Sequence, residues 1–282
     1  MILERFSLHG RVAVVTGGGT GLGKAMCHAV ARAGADVVVA SRSLSSINET
    51  AEEVRSLGRR ALAVPADITD SEQVNHLMHR AIDELGCIDI LINNAGIVRG
   101  IEPSPRDTEP KALPQIWEMT DDMWRQGLDV NLTGAFYCCR AVAKHMIDRG
   151  KGKVINIASL AGLRPARNLF TYCSAKAGLI MLTQVLAVTW ARKNIQVNSI
   201  APGVFANPES AADIIRYQAK QVPMGRCGNP AEIGSMAVFL ASEASNYITG
   251  ECFILDGGRF TRYAPNGYGP LIESKEEARL GA

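Results

Sequence analysis

Aromatic residues make up only 6% of the 282-residue sequence, and its formal net charge is just +2. A charge so near balance gives no electrostatic case for nucleic acid or an anionic membrane surface as partner. Histidine is scarce, and the cysteines (Cys27, Cys87, Cys138, Cys139, Cys173, Cys227 and Cys252) are scattered, with no Cys-x-x-Cys pair and no accompanying histidine cluster. No zinc site is therefore expected, and the thiols read as reduced, packed as small apolar groups. Met1–Gly10 carries Glu4 and Arg5 and has no apolar signal-peptide core, while Gly178–Ala191, the most apolar long stretch, is too short to span a bilayer. A cytoplasmic protein with no membrane partner and no metal is expected.

What the chain does have is 47% hydrophobic content, enough for one large core. Short β-branched runs predict strands at Val12–Thr16, Asp36–Ala40, Arg60–Ala66, Ile88–Asn93, Gly152–Ala158, Ile195–Ile200 and Cys252–Leu255. Helix-period segments lie between them at Lys24–Ala33, Ser45–Leu57, Ser71–Leu85, Asp121–Arg149, Thr171–Arg192 and Pro230–Ser242. Buried strands alternating with helices predict an α/β fold, a doubly wound (Rossmann) seven-stranded parallel sheet with helices on both faces, in one domain over residues 1–282. Two segments depart from the alternation. A proline-rich insertion at 99–117 contains Pro103, Pro105, Pro110 and Pro114, and an extension at 259–282 follows the last strand. Such segments are either surface appendages or walls of a site built at the strand C-termini.

Chemistry concentrates in three places. Thr16-Gly17-Gly18-Gly19-Thr20-Gly21-Leu22-Gly23 joins the first strand to the first helix. Glycines there permit a tight turn and let backbone N–H groups approach a pyrophosphate at the positive helix end. The second strand ends at Ser41-Arg42, where dinucleotide folds that take NAD carry an acid. An arginine beside a hydroxyl suits a 2′-phosphate, so NADP(H) is expected over NAD(H); the other reading is an exposed strand-end charge. Asp67-Ile68 after the third strand is placed to bond the adenine amino group, and Asn94, Ala95 and Gly96 end the fourth strand beside the cofactor. The third place is Tyr172-Cys173-Ser174-Ala175-Lys176, with Ser159 thirteen residues upstream. Free tyrosine, with a pKa near 10, is a poor acid or base at neutral pH. A lysine one helical turn on lies on the same face, so its ammonium favours the phenolate. A serine delivered from a strand end can then hydrogen-bond a substrate oxygen.

Together these residues resemble the short-chain dehydrogenase/reductase superfamily over roughly residues 7 to 258. Its Thr-Gly-x-x-x-Gly-x-Gly pattern falls on Thr16, Gly17, Gly21 and Gly23, Asn-Asn-Ala-Gly on Asn93–Gly96, and its later helix asparagine on Asn131. The resemblance implies that Tyr172 is the general acid in reduction and the base in oxidation, and that Ser159 orients the carbonyl or hydroxyl. It implies that Lys176 lowers the tyrosine pKa and bonds the nicotinamide ribose, and that Asn131 holds a water of the proton relay. Pro202, Gly203 and Val204 open the loop that receives the nicotinamide; Asn207 stands where the family often has threonine.

Phe6-Ser7-Leu8-x-Gly10-Arg11-Val12 and the glycine turn look most like gluconate and sugar-acid dehydrogenases, with 3-oxoacyl-carrier-protein reductases sharing nearly as much. Arg99, Arg164 and Arg167 fall in segments flanking the substrate mouth, as carboxylate ligands or as solvent-exposed loop arginines. The expected activity is interconversion of a secondary alcohol and a ketone by hydride transfer on a small polar, sugar-acid-like substrate, without metal. The alternative within the class is reduction of acyl thioesters or cyclic ketones. A non-catalytic cofactor sensor would have no chemical need for Asn131, Ser159, Tyr172 and Lys176 together. Asp121–Arg149 and Thr171–Arg192 carry more apolar surface than one sheet face needs, and relatives pair these helices, so a homotetramer is expected, with a dimer as the alternative.

Overall fold

Runs of valine, isoleucine and alanine without polar interruption suit strands covered on both faces, and here they pair into one parallel sheet of seven strands. The computed structural model of the protein describes residues 1–98, 113–206 and 212–261. The strands are β1 (Val12–Thr16), β2 (Asp36–Ser41), β3 (Ala61–Pro65), β4 (Ile90–Asn93), β5 (Gly152–Ile157), β6 (Ile195–Pro202) and β7 (Cys252–Leu255). The helices are α1 (Gly21–Arg32), α2 (Leu44–Ser56), α3 (Ser71–Leu85), α4 (Asp121–Leu128), α5 (Gly134–Arg149), α6 (Phe170–Trp190), α7 (Ala212–Ala219) and α8 (Pro230–Ala241). The sheet order is β3-β2-β1-β4-β5-β6-β7, so the winding reverses between β1 and β4. In open parallel sheets that reversal leaves a crevice at the strand C-termini.

Side chains alternate across the sheet as the pleat requires. Ala13 and Val15 of β1 pack with Met26 of α1, Ile47 of α2 and Ile233 of α8. Val12 and Val14 face the other core, with Leu77 of α3, Val142 of α5 and Trp190 of α6. Each aliphatic side chain so buried contributes about 1.5–3 kcal/mol over exposure. Helix ends carry their own signals. Asp70 accepts from the N–H groups of Glu72 and Gln73 to start α3, and Gly86, at φ +93°, ends it. Asn229, Pro230 and Glu232 start α8 with a capping box.

Three elements differ from the sequence reading. β4 begins at Ile90 rather than Ile88, because the Ile88 N–H donates to His145 Nε2 at 3.1 Å instead of joining the ladder. The single helix expected over Asp121–Arg149 is broken by a π-helical turn, Asp129–Thr133, between α4 and α5. A Cβ on Gly127 would lie 2.6 Å from Thr171 Cβ, and one on Gly134 2.5 Å from Ile68 Cδ1, so different neighbours press on the two sides of that turn. The apolar stretch judged too short for a bilayer belongs to a longer helical segment, Phe170–Lys193, which by length and composition alone is sufficient. Ala175, Leu179, Thr183, Ala187 and Trp190 form its buried stripe.

The N-terminal edge of the sheet is tied together by Asp89, whose side chain is only 4% exposed. It accepts from the Val12 N–H at 3.0 Å and from Arg149 Nη2 at 2.7 Å, with Lys151 at 3.5 Å and Arg11 at 3.8 Å. Burial pushes this carboxyl up, but the Arg149 and Val12 hydrogen bonds outweigh it and hold the group below the usual carboxylate range. Asp89→Asn is expected to destabilise the fold by about 3–5 kcal/mol at neutral pH. Because the native carboxyl is depressed, its contribution is present above about pH 4 and is lost as pH falls through the native value. Urea unfolding from pH 7 to pH 3 checks this; equal stability of the two proteins at pH 7 would contradict it.

Candidate active site

The turn after β1 can be built only with glycine at several points. Gly17 and Gly21 sit at φ +64° and +54°, where a side chain is strained. A Cβ on Gly23 would lie 2.0 Å from the Gly17 carbonyl oxygen and 2.5 Å from Asn94 Nδ2. A Cβ on Gly19 would lie 2.4 Å from Ser46 Oγ. Thr20 caps α1 in an extended conformation without a side-chain hydrogen bond to the helix, which leaves the first-turn N–H groups facing the turn as an anion cradle.

The end of β4 is clamped onto this turn. Asn94 Nδ2 donates to the carbonyls of Thr16 at 3.0 Å and Gly17 at 3.1 Å, and Thr16 Oγ1 accepts from the N–H groups of Asn94 and Ala95. The Asn94 side chain is thus turned toward the protein's own backbone, and Thr16 is a site residue whose hydroxyl the sequence reading left out. A cleft of about 600 Å³ runs outward from the turn. Gly17, Thr20, Asp67 and Gly96 line it, and Ser41 and Arg42 stand along it. Asp67 accepts from both the N–H and the hydroxyl of Thr69. The cradle, the cleft and the positions where no Cβ fits suit a dinucleotide.

Beyond Gly96, which lines the cleft, the turn after β5 delivers Ser159 and α6 delivers Tyr172 and Lys176. Gly162 sets their separation, since a Cβ there would lie 2.7 Å from the Lys176 carbonyl carbon. Tyr172 is half-buried beside Ser159, whose Oγ accepts from the Ala161 N–H at 3.2 Å. Lys176 is 4% exposed; its Nζ donates to the Ile157 carbonyl at 2.7 Å and lies 5.8 Å from the Tyr172 ring centroid. Burial pushes the Lys176 ammonium down to about 8 and the Tyr172 phenol up, with Ser159 pulling the phenol the other way. The direction is opposite to the lowering expected from Lys176, because burial of the phenol is the largest influence on it.

Asn131 lies buried in the π-helical turn, where its amide donates to the carbonyls of Ile97 and Gly127 and accepts from the Ile97 N–H. Gly96 is the spacer between these groups: a Cβ on it would lie 2.8 Å from Asn131 Oδ1 and 3.4 Å from Lys176 Nζ. Beneath them Asn93, Asn156 and Thr183 form a buried chain of hydrogen bonds at 2.9 Å each. The sequence offered no signal for this chain beyond polar residues at strand and helix positions otherwise apolar.

Leu22 lies partly buried against the core on the α1 side, and Ile68 is buried against Gly134. Pro202 and Gly203 end β6, where the Gly203 N–H donates to the Leu255 carbonyl, and the Val204 carbonyl accepts from the Gly228 N–H. The Arg164 guanidinium stacks 4.1 Å over the Phe260 ring, and Arg167 is exposed. Arg99 and Asn207 lie outside the described residues, as does most of the insertion and of the extension. Among the described residues no group of three or more His, Cys, Asp or Glu side chains is arranged to hold a metal.

A family model for the short chain dehydrogenases matches residues 11–216. The chain is 38% identical over 272 residues to the 2-dehydro-3-deoxy-D-gluconate 5-dehydrogenase of Escherichia coli strain K12, across 93% of this chain and 100% of that protein. It is 37% identical over 251 residues to the cis-4-hydroxycyclohexanecarboxylate dehydrogenase of Sinomonas cyclohexanicum, across 88% and 96% of the two. A solved gluconate 5-dehydrogenase from Burkholderia cenocepacia J2315, in complex with NADP and tartrate, matches with a TM-score of 0.81 at 34% identity, covering 93% of this chain and all of that one. With its turn, cleft and inner cluster on the frame those proteins share, the chain belongs to the short-chain dehydrogenase family, nicotinamide-dependent oxidoreductases acting on CH–OH groups.

Proposed function

We propose that the protein interconverts a secondary alcohol and a ketone on a small hydroxy acid of the sugar-acid type, with NADP(H) as hydride carrier. The juxtaposition of Tyr172, Ser159 and Lys176 beside Gly96, which lines the cleft that passes Arg42, carries this reading. Bound nicotinamide supplies or accepts the hydride. In reduction Tyr172 Oη gives its proton to the substrate oxygen while Ser159 Oγ holds that oxygen; in oxidation the phenolate takes the proton back. Lys176 serves the ribose and the phenolate, exchanging its Ile157 carbonyl for them. Asn131 fixes the backbone at Ile97 and Gly127 and takes the water of the proton relay. Carboxylate-bearing substrates are favoured by the gluconate-type relatives and by Arg164 and Arg167 beyond Ser159. A cyclic hydroxy acid is the second reading, favoured by the cyclohexanecarboxylate relative.

Met181, Val185 and Val188 of α6 and Phe136 of α5 are exposed, which supports burial of these helices in a homotetramer or dimer. All seven cysteines are free, which supports a reducing compartment, the cytoplasm.

Tyr172→Phe is expected to lower turnover ~10²- to 10⁴-fold while the Kd for NADPH stays within a few-fold. Burial raises the tyrosine, so the donor form for reduction persists through neutral pH, and the phenolate needed for oxidation appears only as pH rises. Oxidation is therefore expected to accelerate with pH well above neutrality; steady-state rates in both directions from pH 6 to pH 10 check it, and a phenylalanine variant near wild-type rate would exclude Tyr172.

A charge-assisted bond from Arg42 to the 2′-phosphate, ~1.5–3 kcal/mol, implies roughly 10- to 150-fold preference for NADPH over NADH. Ser41→Asp with Arg42→Ala reverses the order, since it adds repulsion while removing attraction. Fluorescence titration of both cofactors checks this, and equal affinities in the wild type would refute it.

The Arg164–Phe260 stack supports a role for the start of the extension at the substrate mouth. Phe260→Ala is expected to raise the substrate KM several-fold through loss of a cation–π contact, with NADPH affinity unchanged; a KM equal to wild type would detach the extension from the site.

A further inference from the structure

A second polar cavity, of about 150 Å³, opens at the end of the sheet remote from Tyr172. Its walls carry the cations Arg11, Lys151 and Lys153, the carboxylates Asp89 and Glu243, and side-chain amides such as Gln196. Lys153, near the start of β5, is separated from Ser159 by six residues of mostly extended chain, roughly 20 Å. It is a lysine at a strand position where its neighbours Val154 and Ile155 are core, and it is 9% exposed. Of the three donors an ammonium carries, the described structure gives it one acceptor, Ser245 Oγ at 3.2 Å. That hydroxyl has its own proton directed to the carbonyls of Leu240 and Ser242.

Two carboxylates, Asp89 and Glu243, also line the cavity and are paired with its cations. Glu243 pairs with Arg11 at 3.1 Å, and Asp89 is held by Arg149 at 2.7 Å with Lys151 at 3.5 Å. Among the described residues Arg11, Arg149 and Lys151 share Asp89 and Glu243, and Lys153 adds a further positive charge, so positive charge is in excess. Burial, followed by the Arg11 charge, brings the Lys153 ammonium down to about 8. Glu243 offsets part of this, but it is shared with Arg11, and a buried cation so partly compensated is costly where an apolar side chain would carry no such penalty.

We propose that this cavity is a binding site for a small oxyanion, phosphate or carboxylate in size, seated on Lys153, with Arg11 and Lys151 as flanking cations and side-chain amides as neutral donors. The cavity spans several water volumes of ~30 Å³, so one such group fits. The site joins the starts of β5 and β6 to the turn after α8. Binding there stabilises the folded state by mass action and leaves the chemistry at the other strand ends untouched.

Calorimetric titration and thermal unfolding with sodium phosphate and with sodium acetate, at ionic strength fixed by sodium chloride, test the proposal on the full chain. Wild type and Arg42→Ala, which removes the other anion-seeking cation of interest, are expected to show the same saturable rise in Tm. Lys153→Met is expected to weaken binding about tenfold or more, with NADPH-dependent turnover unchanged. Lys151→Ala, a half-exposed change, weakens it several-fold and keeps the test decisive if the Lys153 variant does not fold. A response to acetate as well as phosphate assigns carboxylates to the site; a response to phosphate alone assigns tetrahedral anions. The proposal is overturned if phosphate produces no saturable response in the wild type or Lys153→Met and Lys151→Ala respond as the wild type does. It is equally overturned if the response is lost in Arg42→Ala, which would move the anion to the cofactor cleft.

Discussion

How closely the glycine turn can approach the end of β4 governs the geometry of the candidate site. Two main-chain carbonyls, of Thr16 and Gly17, are drawn onto one amide, Asn94 Nδ2, while the first turn of α1 passes so near that Gly23 has no room for even a methyl group. Sheet, turn and helix then share one contact at the point where the winding of the sheet reverses. Main-chain donors at the α1 terminus are held by this packing and need no help from side chains. An anion cradle made of backbone has little conformational freedom to lose when it is used.

The reacting groups are located by a second close approach, of the turn after β5 to α6. Backbone of Lys176 lies against Gly162, so Ser159, Tyr172 and Lys176 are carried by elements that touch without intervening side chains. The Asn93–Asn156–Thr183 chain of hydrogen bonds ties β4, β5 and α6 together directly below. A buried polar chain of this kind permits one register: moving any strand by a residue would leave amides unpaired in a low-dielectric interior. Specificity of alignment is thereby supplied where apolar packing alone would tolerate slippage.

Much of this was legible in the sequence because it follows from local rules. The strands were readable as unbroken β-branched runs, and their observed limits all agree within two residues; at β4 the difference arises where His145 captures a backbone donor from far along the chain. Glycines in the first turn and the Ser159, Tyr172 and Lys176 set announced themselves by spacing. What could not be read were effects of packing. Nothing local says that Asn94 turns inward, that Lys176 donates a hydrogen bond to the Ile157 carbonyl, or that Phe260 lies under Arg164. Helix α7 was missed because its eight residues, Ala212–Ala219, are too few to show a clear period.

The π-helical turn at Asp129–Thr133 has a consequence for how this chain tolerates changes in length. Its hydrogen bonds span one residue more than those of an α-helix, and one residue corresponds to about 100° of rotation. The face that α4 offers to α6 and the face that α5 offers to the sheet are therefore out of phase by that angle along one axis. Ala135, Cys138, Cys139, Val142 and Met146 are on the buried face of α5, downstream of that offset. A single-residue deletion here would be tolerated by neither face, whereas the same deletion in the exposed polar end of α2 would cost a fraction of a turn; the helix pair is a phase-locked element in which sequence length itself is constrained.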